Sequence, residues 1–235
     1  MSWHTRPMAA LDCESTGLDT RTDRIVTAAL WRIDPSAGSK EKQSWLIDPG
    51  VEIPEEATAI HGITTEHAVQ NGRPAAEAVA EIAAALEKAD TDGLPVVVYN
   101  APYDLGLLSA ELERHGLPSG FLRTLRVIDP LVLDKHTDPY RRGGRKLTDV
   151  CAHHGVPLDE SQAHGAAADA LAAARLAWRL GATHEDLASL DLDALHAAQV
   201  SWKAEQAASF QAYLRRGRDP QAVIDGSWPM AAAPA

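Results

Sequence analysis

Asp12-Cys13-Glu14-Ser15-Thr16-Gly17 follows the apolar run Met8-Ala9-Ala10-Leu11. An apolar run that ends in Ser-Thr-Gly reads as a buried strand entering a turn. Side chains two apart on a strand share a face. Asp12 and Glu14 therefore point one way, and Leu11 and Cys13 the other. Two carboxylates side by side on a core strand are costly unless positive charge lies between them. Hard divalent cations such as Mg²⁺ are held by oxygen ligands of this kind. A pair of solvated acids at a strand end gives the same local pattern, so the rest of the chain must supply the other ligands.

Outward from this stretch, 24–33 reads as a second strand, ended by Asp34-Pro35. Residues 36–40 read as a turn and 43–47 as a third strand, stopped by Asp48-Pro49. Three strands with short links predict an antiparallel meander. Acids early in 54–64 and Gly62 late suit a short helix, and Thr64 could cap another. Pro74 opens an amphipathic helix with Val79, Ile82 and Leu86 as its stripe. The β-branched run 96–99 is a buried strand that passes into Asn100-Ala101-Pro102-Tyr103-Asp104. Leu105, Leu108 and Leu112 then mark a helix with Asp104 in its first turn, at the carboxyl end of a parallel-type strand. Ligands gather at such ends in open α/β sheets, and the helix dipole favours an ionised carboxylate there.

Residues 126–129 form a fifth strand, 131–135 one helical turn, and 146–154 a short helix. His164 and Asp169 precede and enter a helical run that continues through Leu180. Five residues on one regular helix cannot face a single point, so a shared site needs His164 in the loop and Asp169 in the helix. A long helix follows over 192–216, and the end around Trp228 and Met230 reads as a loosely held tail.

The 235 residues suit one domain with an extension. A formal charge of −11 lacks the basic footprint usual for nucleic-acid binders, but only the field at the site matters to an enzyme. Two cysteines, Cys13 and Cys151, make no disulfide framework. Neither a signal-peptide pattern nor an apolar run of membrane-spanning length is evident, which makes the cytoplasm the expected compartment.

The first motif, 12–17, resembles that of the DEDDh (DnaQ-like) 3′→5′ exonucleases, which include the proofreading subunit of bacterial replicative polymerase. Asn100-Ala101-Pro102-Tyr103-Asp104 resembles the second motif, and His164 with Asp169 the third. Ile60-His61-Gly62-Ile63-Thr64 looks like the family segment near the substrate's 3′ end. Ser15 is a small departure, since relatives often carry Thr there. The resemblance implies a ribonuclease H-like α/β fold: a mixed five-stranded sheet with helices on both faces, over residues 1–182. Residues 183–235 would form a C-terminal helical extension and loose tail. It also implies two divalent ions, Mg²⁺ or Mn²⁺, held by Asp12, Glu14, Asp104 and Asp169, with His164 as general base. Ser15, Thr16, Gly17, His61, Asn100 and Tyr103 would then touch the substrate. Partners implied are single-stranded DNA or RNA 3′ ends, and a DNA polymerase subunit; no membrane is.

Phosphodiester hydrolysis places negative charge on the attacking and leaving oxygens, which two cations stabilise. A neutral imidazole suits removal of the attacking water's proton. Rival readings are an RNA-trimming enzyme, an endonuclease of related fold, and an inactive nucleic-acid- or polymerase-binding module. Lys135, Arg141, Arg142, Arg145 and Lys146 form a basic window that reads either as a phosphate-guiding surface or as a solvated loop.

Overall fold

The computed structural model describes residues 2–158 and 165–231. In chain order the elements are β1 (Met8–Ser15), β2 (Ile25–Asp34), β3 (Ser39–Asp48), α1 (Glu55–His61), α2 (Thr65–Asn71), β4 (Arg73–Pro74) and α3 (Ala75–Thr91). Then come β5 (Val96–Val97), α4 (Ala101–Arg114), β6 (Val127–Ile128), α5 (Pro130–Thr137), α6 (Leu147–His154), α7 (Ala166–Thr183), α8 (Glu185–Ala188) and α9 (Leu192–Gly217). The sheet order is β4-β3-β2-β1-β5-β6. β1, β2 and β3 pair antiparallel as the meander predicts, while β5 lies parallel to β1 and β6 parallel to β5. The two-residue β4 adds a sixth strand at the β3 edge. It is too short to leave a periodic pattern.

β1 sits at the centre, and its alternation sorts the core. Ala9, Leu11 and Cys13 face α3 and α4, among Val79, Ile82, Leu86, Leu105 and Leu108. Met8 and Ala10 face the other side, among Ala170, Ala173, Ala177 and Leu180 of α7. Helices thus cover both faces. β3 begins at Ser39, earlier than predicted, because its outer half is exposed and charged yet continues the ladder to β2. α5 is two turns rather than one, with the Asp129 side chain accepting from the Leu131 N–H at its start and Pro130 in its first turn.

Trp228 and Met230, read as part of a loose tail, are instead buried, 6% and 7% exposed. Both sit in the core beside α3 and α4, where an aromatic and a thioether bury more surface than a solvated tail would allow. Among the described residues no helix is long and apolar enough to cross a membrane.

α4 is anchored at both ends. Two turns beyond Asp104, the buried Glu111 accepts from Arg24 Nε at 2.8 Å and from the Ile25 N–H at 3.2 Å. It thereby ties the helix to the start of β2. Removing one partner of a buried ion pair strands the other charge. Glu111→Ala should therefore cost about 3 kcal/mol in urea unfolding. A loss below about 1 kcal/mol, the range of an exposed pair, would show that the pair does not hold α4.

Candidate active site

Three elements converge at the carboxyl ends of β1 and β5. β1 presents Asp12 and Glu14, the first turn of α4 presents Asp104, and the first turn of α7 presents Asp169. Carboxylate oxygens of Asp12, Glu14 and Asp169 lie within 4.8 Å of one another. Asp104, 3% exposed, is locked beside them: its Oδ1 accepts from the Cys13 N–H at 2.9 Å. The four acids line a cleft of about 430 Å³, together with Tyr103 and Lys146. A second groove of about 650 Å³ begins at Glu14 and runs past Ala29, Ser44 and Trp45, between His61 and Ala167.

Burial, and after it the crowding of like charges, sets the electrostatics. Burial, reinforced by Asp104, Glu14 and Asp169, holds the Asp12 carboxyl well above the usual range. Burial and Asp169 push Glu14 up to about 8. Burial also raises Asp104 to about 8, against the pull of the Cys13 N–H. An all-carboxylate set of this kind fits hard divalent cations. Soft thiolate chemistry does not fit, because Cys13 turns its side chain to the opposite core and burial raises its thiol.

The other expected site residues fall into two groups. His61 ends α1 on the wall of the groove, where its Nδ1 accepts from the Ile63 N–H at 3.1 Å. Burial lowers its pKa, against the pull of the Ser15 backbone. Asn100 is exposed on the rim of the cleft, in left-handed conformation at φ 62°. Asparagine tolerates that region better than most residues. Ser15, Thr16 and Tyr103 spend their polar groups internally. The Ser15 and Tyr103 hydroxyls contact one another, and each lies within 2.7 Å of the Gly17 carbonyl. Thr16 Oγ1 donates to Asp23 at 2.8 Å and accepts from the Arg24 N–H. Gly17 leaves room for that carboxylate, since a Cβ there would sit 2.6 Å from Asp23 Oδ2. The expectation for His164 lies outside the described residues.

Lys135 of the basic window is half-buried, and the other four residues resolve into two kinds. Arg141 and Arg145 turn inward onto Asp134, which also meets His154 Nε2 at 2.8 Å. Despite burial, His154 and the two arginines hold the Asp134 carboxyl down at about 2. Arg142 and Lys146 stay exposed. A run of charges in sequence concealed this division because Asp134 lies just outside it.

Sequence reading also missed Asp129, which is 1% exposed. Its carboxylate accepts from the Asn100, Ala101 and Leu131 N–H groups, each at 3.0 Å. The available signal was Asp129-Pro130, a helix cap followed by proline, overlooked because the residue also ends a strand.

The raised carboxyl pKa values link pH to stability. Between about pH 4.5 and 8 the folded metal-free protein keeps protons that the unfolded chain has released. Stability is therefore fully present below the unfolded values and is lost as pH rises through the folded ones. The melting temperature of chelated protein should fall across this window, and saturating Mn²⁺ or Asp12→Asn should flatten the fall. A melting temperature that rises toward pH 8 in chelator would contradict the crowding.

Comparison with known proteins agrees with this geometry. The exonuclease family (RNase T) matches residues 9–177. DNA polymerase III PolC-type of Streptococcus agalactiae is 28% identical over 171 residues, 70% of this chain and 11% of the relative. Its Streptococcus pyogenes counterpart is 30% identical over 177 residues, 75% of this chain and again 11% of the relative. The chain thus spans about a tenth of the length of these curated relatives. E. coli exonuclease I in complex with a dT13 oligonucleotide superposes with TM-score 0.63 at 20% identity, covering 77% of this chain and 42% of that one. Exonuclease I of Methylocaldum szegediense gives 0.64 at 21% identity, covering 88% and 46%. These likenesses place the fold as ribonuclease H-like. With sheet, acid cluster and family match in agreement, the chain belongs to the exonuclease family.

Proposed function

We propose that this chain removes nucleoside 5′-monophosphates from the 3′ ends of single-stranded DNA, with two Mg²⁺ or Mn²⁺ ions bound. The observation that carries the reading is the convergence of Asp12, Glu14 and Asp169 within 4.8 Å. The dT13 complex of E. coli exonuclease I and the polymerase relatives support DNA as the substrate. Association with a polymerase subunit is the further reading those relatives offer.

Asp12, Glu14, Asp104 and Asp169 would hold the ions, which when bound stabilise charge on the attacking and leaving oxygens. Every other task falls to the chain itself. The groove beside Glu14 receives the terminal nucleotide, with the His61 ring on its wall. The Ser15–Tyr103–Gly17 contacts keep the turn after β1 rigid, so that Asp12 and Glu14 hold their spacing. Lys146 on the cleft rim meets the strand's phosphates. The third motif assigns His164 the proton of the attacking water.

End-labelled single-stranded DNA and RNA, each with Mg²⁺ or Mn²⁺, test class and substrate together. A ladder shortening by one nucleotide from the 3′ end of DNA is expected, and EDTA should abolish it. Cutting of a circular strand, faster trimming of RNA, or inertness on both would overturn the assignment. His164→Ala should slow turnover by about 10²–10⁴ while Mn²⁺ binding persists, whereas Asp169→Ala should weaken Mn²⁺ binding itself. Equal loss of metal in both variants would remove the base role.

The basic window gives a second test. Lys146→Ala and Arg142→Ala should raise KM and flatten its salt dependence with kcat nearly unchanged. Arg141→Ala should instead lower the melting temperature, because it opens the Asp134 network. A KM effect confined to Arg141→Ala would reverse this division.

A further inference from the structure

One edge of the sheet is β6, and α9 covers it with side chains rather than with another strand. Val127 N–H donates to His196 Nδ1 at 3.0 Å, and Val127 O accepts from Gln199 Nε2 at 3.0 Å. Gln199 is fully buried, and its Oε1 accepts from the Asp129 N–H at 2.7 Å. Past the end of α9 the chain returns, and Trp228 Nε1 donates to Asp129 Oδ2 at 3.2 Å. The Trp228 ring lies 4.9 Å from that of His196.

Asp129 is thus gripped from two sides. Behind it stand Gln199 and Trp228, more than sixty residues later in the chain. In front, its carboxylate holds the consecutive Asn100 and Ala101 N–H groups. Asn100 is the only described non-glycine residue at positive φ, a conformation that asparagine tolerates but that its surroundings must still favour over the ordinary regions. The Asn100 side chain makes no capping hydrogen bond, so the enforcing contact is Asp129. One helical turn further on, Asp104 enters the acid cluster.

We propose that Gln199 and Trp228 are positioning residues of the active site: they fix Asp129, Asp129 fixes the Asn100–Ala101 turn, and the turn sets Asp104 among the other acids. The C-terminal segment is on this account part of the catalytic machinery and not an appended helix. The inference rests on Asp104 as a metal ligand. Displacements of the order of 1 Å at such a position cost about 10²-fold in rate.

Trp228→Phe keeps most of the ring packing and deletes the N–H. Trp3→Phe is its matched control. Trp3 is also buried, and its Nε1 donates to a backbone carbonyl, that of Leu187, which is not linked to Asp129. Calorimetric titration with Mn²⁺ alone, steady-state kinetics and amide hydrogen exchange are measured on both. Trp228→Phe should weaken Mn²⁺ binding and lower kcat, each by about tenfold, with KM for the strand unchanged. Its Asn100 and Ala101 amides should exchange faster while those of β1 stay protected. Trp3→Phe should lose melting temperature only.

Parental Mn²⁺ affinity and kcat in Trp228→Phe would overturn the proposal. So would equal losses in both variants, or uniformly faster exchange, since either marks a purely structural role. If Trp228→Phe does not fold, Gln199→Met is read by the same three measurements. Asp104→Asn binding Mn²⁺ like the parent would instead overturn the ligand role of Asp104, whichever way Trp228→Phe reads.

Discussion

Mutual repulsion of carboxylates at one end of the sheet is the constraint that the rest of the structure answers. Two unit charges 4.8 Å apart repel by about 3–4 kcal/mol at an effective dielectric near 20. Asp12, Glu14 and Asp169 make several such pairs, with Asp104 adjoining. Burial first, and then the same repulsion, raise the carboxyl pKa values. Without cations the cluster can relax by taking up protons or by moving apart. The fold blocks the second route. β1 is central and paired on both sides, α4 is tied down by Glu111, and Asp104 is held by the backbone of β1 itself. What remains is uptake of positive charge.

Bringing Asp169 close enough depends on small residues. α7 buries Ala166, Ala170, Ala172, Ala173, Ala174 and Ala177, and packs over β1 and β2. Alanine costs nothing in helix propensity and lets the helix axis approach the sheet. Gly181 allows an equally close approach to the turn before β1, since a Cβ there would lie 2.6 Å from the His4 side chain. Bulky leucines along this stripe would lift the helix and carry Asp169 away from Glu14. The Trp31 indole, donating to the Ala167 carbonyl at 2.7 Å, pins the same end of α7 to β2.

The acids were legible in sequence because each obeys a local rule. Asp12 and Glu14 alternate on a strand, and Asp104 follows a strand-to-helix turn. Asp169 opens an alanine-rich helix. The strands were legible for the same reason, except the two-residue β4 and the outer half of β3, whose Lys40, Glu41 and Lys42 bury nothing and so show no alternation of apolar residues. What holds the acids was not legible. Gln199 and Trp228 reach Asp129 across 70 and 99 residues, and Glu111 reaches Ile25 across 86. No periodicity encodes such contacts. Gln199 looks like any polar residue of a helix, and Trp228 stands among Gly, Ser and Pro, the composition of a tail. Arg141 and Arg145 misled for the complementary reason: charge in sequence reads as surface until a buried acid claims it.

The contrast between Asp134 and the cluster shows how the chain separates structural from chemical carboxylates. Asp134 receives two guanidinium groups and an imidazole, and its pKa falls to about 2. It is neutralised within the protein and offers no net charge to an outside cation. Asp104 and Asp129 are just as buried, yet backbone N–H groups and an indole hold them. Such donors orient a carboxylate without cancelling its charge. Among the described residues no lysine or arginine pairs with Asp12, Glu14 or Asp104. Arg145 lines the same cleft as the cluster, but Asp134 restrains its guanidinium. The inward network therefore stabilises the loop and also keeps a competing cation away from the acids. Negative charge at the site is thereby left for metal ions to satisfy, while neutral donors alone fix where that charge stands.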